Sequence, residues 1–280
     1  MDKLQTESST GTKIVTVADD PQAYSLLLRY KDAKVRTDGF INNIKNARNE
    51  LELYENLVNQ ISEFVREVKI LTINAANDAF YIDSKDSLRK SIENLMEKIV
   101  NLANNNLKGE YMFSGSKTMT KPFEVVRGSE GIESVTYVGD NREKVFNPDS
   151  SERIIINLSG EELFLGPAGQ DENIFDALIQ FKNDLTDQRL ENAEEHISKF
   201  DKILNRFINK QGEIGSNVEH INRLESFLGN YSFILDEKSS QIENADLAET
   251  ISKLLNQETV YKAALEVAAR MNKLSILDYI

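Results

Sequence analysis

A ten-residue stretch that begins at Gly109 combines two glycines with a lysine and hydroxyl side chains, the residue types of a phosphate-binding loop. Its spacing differs from that of such a loop, because five residues separate Gly109 from Gly115 and Ser116 stands before Lys117. A phosphate loop also follows a strand and opens a helix, whereas three asparagines precede this stretch and Pro122 follows it. We interpret the stretch as a turn and not as a nucleotide site.

Few other side chains could perform acid–base or metal chemistry. The chain has 2 His and no Cys, which excludes thiolate metal sites and cysteine nucleophiles. Neither His196 nor His220 has a second histidine within helical reach, so we expect both on helix surfaces. Adjacent acidic pairs such as Glu161-Glu162 and Glu194-Glu195 would point in different directions on a helix, and we expect them in solvent. We predict no catalytic, cofactor-binding or metal site.

The overall composition limits the possible partners. With 33 Lys and Arg against 46 Asp and Glu, the formal charge is -13, which argues against nucleic acid as a partner. No run approaches the roughly 18 apolar residues that span a bilayer, so we expect no contact with a membrane. The start, MDKLQTESSTG, lacks the apolar centre of a secretory signal. Only 4 Pro in 280 residues favour a helical protein.

A long, regularly spaced row of apolar residues predicts the helices that form the framework of the protein. After Asp19-Asp20-Pro21, a typical helix start, apolar residues recur in alternating steps of four and three as far as Ala79. This period predicts a coiled-coil seam on one helix of about 90 Å, at ~1.5 Å per residue. A second helix, opened by Asp83-Ser84, is expected to fold back on the first, and the seam restarts at Leu190. The predicted core-seam residues are Leu26, Tyr30, Phe40, Ile44, Leu51, Tyr54, Val58, Ile61, Val65, Phe200, Leu204 and Phe207.

The middle of the chain has a different character. Eight of the 13 Gly and three of the 4 Pro lie between Gly109 and Gly169. Within this window the runs ESVTYVGD, KVFN, RIIINLSG and ELFLG are typical of four or five short antiparallel strands. We therefore predict a mainly α fold with a β insert: an elongated antiparallel helical rod of the N- and C-terminal segments plus a small antiparallel β domain. The predicted parts are an N-terminal segment 1–20, helical rod parts 21–108 and 171–238, an outer β insert 109–170 and a C-terminal assembly helix 239–280.

The final helix, from Asp246 to about Leu277, is apolar over well over half of its circumference. One partner helix cannot bury so broad a surface, so we predict a role in contacts between subunits. Residues 1–18 are rich in Ser and Thr, and we expect that they cannot supply a matching helix. The predicted assembly interface consists of Leu247, Ile251, Leu254, Tyr261, Leu265, Ala268, Met271 and Leu274.

Three groups of short strings carry a resemblance to a known family. They are Ser9-Thr10-Gly11 followed by Asp19-Asp20-Pro21, the stretch Gly109–Thr118 followed by Pro122-Phe123, and the end from Tyr261-Lys-Ala-Ala-Leu265 to Ser275-Ile-Leu-Asp-Tyr-Ile280. Together they resemble the hook–filament junction proteins of the bacterial flagellin-like family. Filament subunits of that family typically carry Asp-Asp-Ala-Ala-Gly where this chain has Asp-Asp-Pro, and they end differently.

The resemblance implies a non-enzymatic structural subunit of the bacterial flagellum that joins hook to filament. It also implies an extracellular location, reached unfolded through the flagellar type III export pathway without a cleaved signal. The implied partners are other copies of the chain, the other hook-associated junction protein, flagellin and a flagellar export chaperone. Family members begin with a further apolar helix before the Ser-Thr-Gly string, and we expect this chain to lack that helix.

Three alternatives are open on the sequence. The nearest is a flagellin filament subunit, which would share the helices. A helical adhesin or a secretion-needle component would share the rods but lack the combined strings. A protein of another class, a hydrolase, would need convergent carboxylates in a pocket of the β insert, and no spacing in the sequence requires one.

Overall fold

The computed structural model describes residues 2–76, 82–129, 131–147, 153–167, 172–186 and 192–277. Among these residues helices dominate, and the β-structure consists of short antiparallel strand pairs. The predicted fold class, mainly α with a small antiparallel β part, is confirmed. The predicted seam residue Ala79 lies outside the described residues. The helices are α1 (Asp2–Thr10), α2 (Pro21–Ala76), α3 (Ile82–Ala103), α4 (Ile174–Thr186), α5 (Ala193–Glu243) and α6 (Leu247–Leu277).

The start of α2 follows from two residues. The Asp20 Oδ1 accepts hydrogen bonds from the backbone N–H groups of Gln22 at 3.1 Å and Ala23 at 3.0 Å. These groups have no carbonyl partner inside the helix, so the aspartate satisfies donors that would otherwise need water. Pro21 occupies the first helical position, where its missing N–H costs nothing. The predicted helix start is therefore confirmed.

The helices α2 and α5 run antiparallel in both of the compact units into which the chain divides, residues 1–41 with 226–280 and residues 42–225. Polar contacts between the two helices show this direction, because the residue number of the partner on α5 decreases as the residue number on α2 increases. The first unit has Lys31–Glu243, Lys34–Asp236 and Asp38–Ser232. The second unit has Arg48–Glu225, Asn59–Gln211 and Lys69–Asp201.

In the second unit the predicted seam is closely packed. The α2 residues Ile44, Leu51, Tyr54, Val58, Ile61 and Val65 each expose 2% or less of their surface. On α5, Phe200 and Phe207 are equally inaccessible, but Leu204 is half-buried and Ile203 is fully buried. The reason is that α5 also faces α4, where the Phe181 ring lies 6.0 Å from that of Phe200. The buried face of α5 therefore serves two neighbours and is broader than a two-helix seam.

The seam is less complete in the first unit. Tyr30 is half-buried, whereas Leu26 and Phe40 are 42% and 40% exposed, although both were expected in the seam. Leu27 is buried next to Leu26. A single neighbouring helix covers a narrower stripe than several elements do, so side chains at the edges of the stripe stay in solvent.

The helix α3 folds back along α2, as expected. The Lys98 ammonium lies 5.3 Å from the centroid of the Phe64 ring, a cation–π distance. The apolar side of α3, which includes Leu88, Ile92 and Ile99, is buried, and α3 also packs against α4.

The β-structure forms three separate two-stranded antiparallel pairs rather than one sheet. The pairs are β1 (Asn106–Leu107) with β2 (Glu110–Tyr111), β3 (Phe123–Gly128) with β4 (Gly131–Tyr137), and β5 (Val145–Phe146) with β6 (Ile154–Ile155). The run ELFLG, expected as a strand, forms a π-helical turn, Glu161–Leu165. This expectation is wrong because Arg206 donates hydrogen bonds to the carbonyl oxygens of Leu163 at 2.9 Å and Phe164 at 3.3 Å, which holds the turn against α5.

Aromatic rings from the β part and from the helices form one cluster. The ring centroid of Phe164 lies 5.2 Å from that of Phe113 and 4.9 Å from that of Phe123. On the other side it lies 5.8 Å from Phe175 on α4 and 5.9 Å from Phe207 on α5. All five rings are completely buried. The β part thus shares its core with two helices, in contrast to the expected outer insert.

The stretch from Gly109 to Thr118 consists largely of turns around β2, and its polar groups contact the protein itself. Gly115 has a φ of 68°, and the carbonyl oxygen of Asp140 lies 2.1 Å from the place a Cβ would occupy. Only glycine fits such a position. The Asp140 carboxylate accepts hydrogen bonds from the hydroxyl of Ser116 at 2.5 Å and its backbone N–H at 2.7 Å, which lower the pKa of Asp140 to about 2.

His196, which we expected on a helix surface, is buried between α5 and α4. Its Nε2 lies 2.8 Å from the Asp184 Oδ2, and its ring centroid lies 5.2 Å from that of Phe181. The heptad pattern of α5 places this residue beside the seam but does not show that α4 covers this side of the helix. His220 is half-buried.

Replacement of Phe164 by Ala is expected to lower the free energy of unfolding by about 3–5 kcal/mol, because it removes a buried ring and leaves a cavity. Urea denaturation followed by circular dichroism measures the change. The control Met119→Ala removes a side chain that is 79% exposed and should change the value by less than about 0.5 kcal/mol. Equal midpoints for the two variants would contradict the shared aromatic core.

The contribution of Asp140 to stability should depend on pH. Because folding lowers its pKa from 3.8 to about 2, the contribution is complete above about pH 4 and is lost as the pH falls through about 2. Asp140→Asn should therefore lose less stability than the unchanged chain between about pH 5 and pH 2, as measured by thermal denaturation. Parallel stability profiles for the two proteins would show that this carboxylate is not stabilised by folding.

Candidate assembly surface

The segment that follows α1 meets the segment that precedes α6. The backbone N–H of Lys13 donates to the carbonyl of Glu243 at 2.8 Å, and that of Ala245 donates to the carbonyl of Gly11 at 2.9 Å. The residues between them form an isolated antiparallel bridge. Gly11 makes the approach possible with a φ of 71°, a conformation that disfavours other residues. This terminal junction, residues 11–13 with 243–245, fixes where α1 ends and where α6 begins.

The helix α6 begins where the sequence predicts it. The Asp246 Oδ1 accepts hydrogen bonds from the backbone N–H groups of Ala248 at 3.0 Å and Glu249 at 3.1 Å. Glu249 also pairs with Lys253 one turn later, at 2.8 Å. Such exposed pairs add only a few tenths of a kcal/mol, so they favour the helix without accounting for its length.

Most apolar side chains of α6 lie in solvent. Among the predicted interface residues, Leu247, Ile251, Tyr261, Leu265, Ala268 and Met271 are exposed, and Leu254 is half-buried. The side chain of Leu274 lies outside the described residues. Leu255, Val260 and Val267, which were not among the predicted interface residues, are 58%, 69% and 57% exposed. We call these exposed apolar residues between Leu247 and Met271 the α6 surface; its extent on more than one face is typical of an interaction site.

The helix α1 packs against α6. Residues 1–18 were not expected to supply a helix that matches α6. The hydrogen bond that Lys253 on α6 donates to Glu249 raises the pKa of the lysine, and the negative charge of Glu7 on α1 adds to this effect. Thr250, near the start of α6, is buried. With 9 residues against 31, α1 covers only a small part of α6, so the α6 surface remains largely open.

No strong sequence signal predicts α1. Its hydroxyl side chains return hydrogen bonds to the backbone, as Thr6 does to the carbonyl of Asp2 at 2.9 Å and Thr10 to that of Thr6 at 2.8 Å. Such residues have modest helix propensity, and none of the nine residues is fully buried. The helix lies against α6, a contact that the sequence of residues 1–18 alone does not reveal.

The carboxylates near the β part are engaged in ion pairs. Glu162 pairs with Lys210, and Lys210 also lies 2.6 Å from Glu213, at the edge of a cavity of about 500 Å³. Glu172 lies 3.1 Å from Arg206. Within the described part of the chain, no group of three or more His, Cys, Asp or Glu side chains could hold a metal ion.

Both ends of the chain match one known family. Residues 1–118 match the bacterial flagellin N-terminal helical region, and residues 187–280 match the bacterial flagellin C-terminal helical region. The chain belongs to the bacterial flagellin family. The two flagellin regions correspond here to α1–α3 with β1 and β2, and to α5 with α6, so they include the terminal junction and the α6 surface.

Relatives within the flagellin family differ in how much of their length is matched. Flagellar hook-associated protein 3 of Escherichia coli is 24% identical over 99% of this chain and 92% of its own length. Flagellin B of Helicobacter pylori is 24% identical over 73% of this chain but only 40% of its own length. A solved structure, the flagellar junction protein FlgL from Legionella pneumophila, has the same fold, with a TM-score of 0.64 at 15% identity over 78% of this chain and all of that one.

In the ranges that the structure describes, no helix combines the length and the apolar character needed to cross a membrane. Although α6 is apolar on several faces, it carries charged residues such as Lys253, Glu258 and Lys262.

The substitution Leu265→Asp is expected to change the melting temperature of the isolated chain by less than about 1 °C, because the side chain is already exposed and surface changes cost little. In hydrogen exchange measured by mass spectrometry, amides of residues 260–271 should exchange much faster than those of residues 44–65 on α2. The matched variant Leu51→Asp, at a buried position, should lower the melting temperature strongly. Slow exchange along residues 260–271 in the isolated chain would contradict an unoccupied α6 surface.

Proposed function

We propose that the chain is a structural subunit of the bacterial flagellum that joins the hook to the filament. The observation that carries the proposal is the α6 surface, in a chain whose full length is matched by a flagellar hook-associated protein 3. The free energy falls when apolar side chains leave water. A helix with apolar side chains exposed on several faces is therefore stabilised when neighbouring helices cover it. An assembly of many copies supplies such neighbours.

In this function the two kinds of apolar surface have different tasks. The buried faces of α2 and α5 hold each subunit together, and they are already satisfied inside the chain. The α6 surface has no such cover within the chain. Its burial between subunits stabilises the assembly by roughly 25 cal/mol per Å² of apolar area removed from water. Joining hook to filament is then a mechanical role that needs no catalytic group.

The partners that fit this role are other copies of the chain, a second hook-associated junction protein on one side and flagellin on the other. We place the protein outside the cell, at the hook–filament boundary, after export through the flagellar type III pathway with the help of an export chaperone. The lack of cysteine is compatible with threading an unfolded chain, since no disulfide can form on the way.

A filament subunit is the alternative within the same family. The match to Flagellin B of Helicobacter pylori favours it, but that match covers a smaller share of the relative than the match to flagellar hook-associated protein 3. The two functions differ in copy number and place. An immunogold label on a junction subunit gives one narrow band at the hook–filament boundary, whereas a label on a filament subunit follows the whole filament.

The substitution Leu265→Asp should abolish incorporation of the chain into flagella, because it places a charge on a surface that assembly must bury. Flagella isolated from bacteria that express the variant are examined by immunogold microscopy and by swimming assays. The control Asn256→Asp adds the same charge at an exposed polar position of α6 and should leave incorporation within about twofold of normal. Normal incorporation of the Leu265 variant would remove the α6 surface from the assembly mechanism.

A further inference from the structure

The hairpin of β3 and β4 changes its pairing register once along its length. Val126 on β3 pairs with Ser134 on β4, but the next β3 residue, Arg127, pairs with Ile132. Two neighbouring residues of β3 thus face β4 residues that are two positions apart, and Glu133 is left over between them. An extra residue of this kind on one strand is a β-bulge.

The bulge decides which β4 side chain is buried. Side chains of a regular strand alternate between its two faces, so Glu133 would share the face of Val135, which is buried. With the bulge, Ile132 is completely buried in its place and Glu133 is exposed. The bulged register therefore removes an apolar side chain from water, where the regular register would bury a carboxylate.

Two charged side chains from the helices hold the backbone of Ile132. Its N–H donates to the Glu93 Oε1 on α3 at 2.7 Å, and its carbonyl accepts from the Lys182 ammonium on α4 at 2.7 Å. The same ammonium donates to the Glu93 Oε2 at 3.1 Å. A Cβ on residue 131 would lie 2.3 Å from the Glu93 Oε1, so the approach of Glu93 depends on Gly131. We call Glu93, Lys182 and the Ile132 backbone together the Ile132 grip.

The Ile132 grip places a charge where water is almost absent. Lys182 is only 4% exposed, and an ammonium loses much of its hydration energy in such a place. Its attraction to Glu93 roughly offsets that loss, so a buried pair of this kind adds little stability over apolar side chains of similar size. The best documented use of such buried polar groups is to distinguish between alternative registers.

The opposite end of the hairpin is fixed independently. The side-chain amide of Asn104 accepts from the Phe123 N–H at 2.9 Å and donates to the Phe123 carbonyl at 3.0 Å. Phe123 also pairs with Tyr137 on β4. Continuing this pairing without a bulge would set Glu133 opposite Arg127, where Ile132 stands. The two ends of the hairpin are therefore held one residue out of step.

We propose that the Ile132 grip selects the bulged register of the β3–β4 hairpin over the regular one. In the regular register Ile132 moves one position along β3, and its N–H and carbonyl leave Glu93 and Lys182. Both hydrogen bonds involve a charged group and belong to the stronger kind, so their loss disfavours the regular register. The inference concerns the internal structure of each subunit and goes beyond the proposed function, on which it does not depend.

The chain contains no Cys, so the reactivity of a single introduced thiol reports the exposure of one position. Two reporters, Glu133→Cys and Ile132→Cys, are made separately in the full-length chain. Each is combined with the grip deletion, Glu93→Leu together with Lys182→Met, which removes both charges at once so that neither is left buried alone. The rate of reaction with dithiobis-nitrobenzoate is measured under native conditions, and circular dichroism checks that the helices are retained.

The matched control removes a different ion pair between α3 and the same hairpin. Arg127 lies 3.0 Å from Glu97, and both side chains are partly exposed. The control variant combines Glu97→Leu with Arg127→Met. Because Arg127 stands on β3, which keeps its place in both registers, this change should leave the order of the two reporter rates as it is in the natural chain.

In the natural chain the Glu133→Cys thiol should react about tenfold faster than the Ile132→Cys thiol, because only the former is exposed. The grip deletion should reverse this order, since the two side chains exchange their surroundings. An unchanged order overturns the proposal. Fast reaction of both thiols overturns it as well, because the grip would then attach the hairpin without choosing its register.

A second variant applies if the grip deletion does not fold. Lys182→Met alone withdraws the donor to the Ile132 carbonyl and leaves the partly exposed Glu93 in place. It should slow the Glu133→Cys thiol and speed the Ile132→Cys thiol, so that the ratio of rates falls from about tenfold to less than about threefold. A ratio that stays at its natural value would overturn the proposal.

Discussion

The burial of one apolar face of α2 against α5 is the interaction on which the rest of the structure depends. Between Ile44 and Val65 this face is almost inaccessible to water, and at about 25 cal/mol per Å² it provides the main favourable free energy available to two helices of this length. Isolated helices are marginal in water, so neither would persist without the other. The aromatic cluster around Phe164, the turn beside Asp140 and the terminal junction are positioned by this pair.

The apolar residues fall into two groups, those buried inside the second compact unit and those exposed on α6. Inside the second compact unit, rings such as Phe113 and Phe207 are packed on all sides, and no further partner could reach them. On α6 the same kinds of side chain remain in water, which costs free energy in an isolated chain. The acidic composition opposes contact between copies, because molecules that each carry a charge of -13 repel one another.

Local patterns were enough to predict three features, namely the long helices from the heptad rhythm, the start of α2 from Asp19-Asp20-Pro21, and an α6 too broadly apolar for one partner helix to cover. They could not distinguish Leu204 from Ile203 or place His196, because both depend on α4, which packs across from a different part of the sequence. The strand pattern of ELFLG was overridden by hydrogen bonds from Arg206, more than forty residues away in the chain. The helix α1 lacked a strong local signal, and it packs against α6, which lies at the other end of the sequence.

The terminal junction has a consequence for the order of folding. Lys13 and Glu243 are joined by a backbone hydrogen bond although almost the entire chain lies between them. Closing so long a loop costs more conformational entropy than this contact can offset. The junction therefore forms only after the helices between have folded and brought residues 11–13 next to residues 243–245. A chain that is still being synthesised therefore lacks a docked α1. Ordering of the two chain ends is a late event, which delays the pairing of α1 with α6 until the body of the subunit is complete.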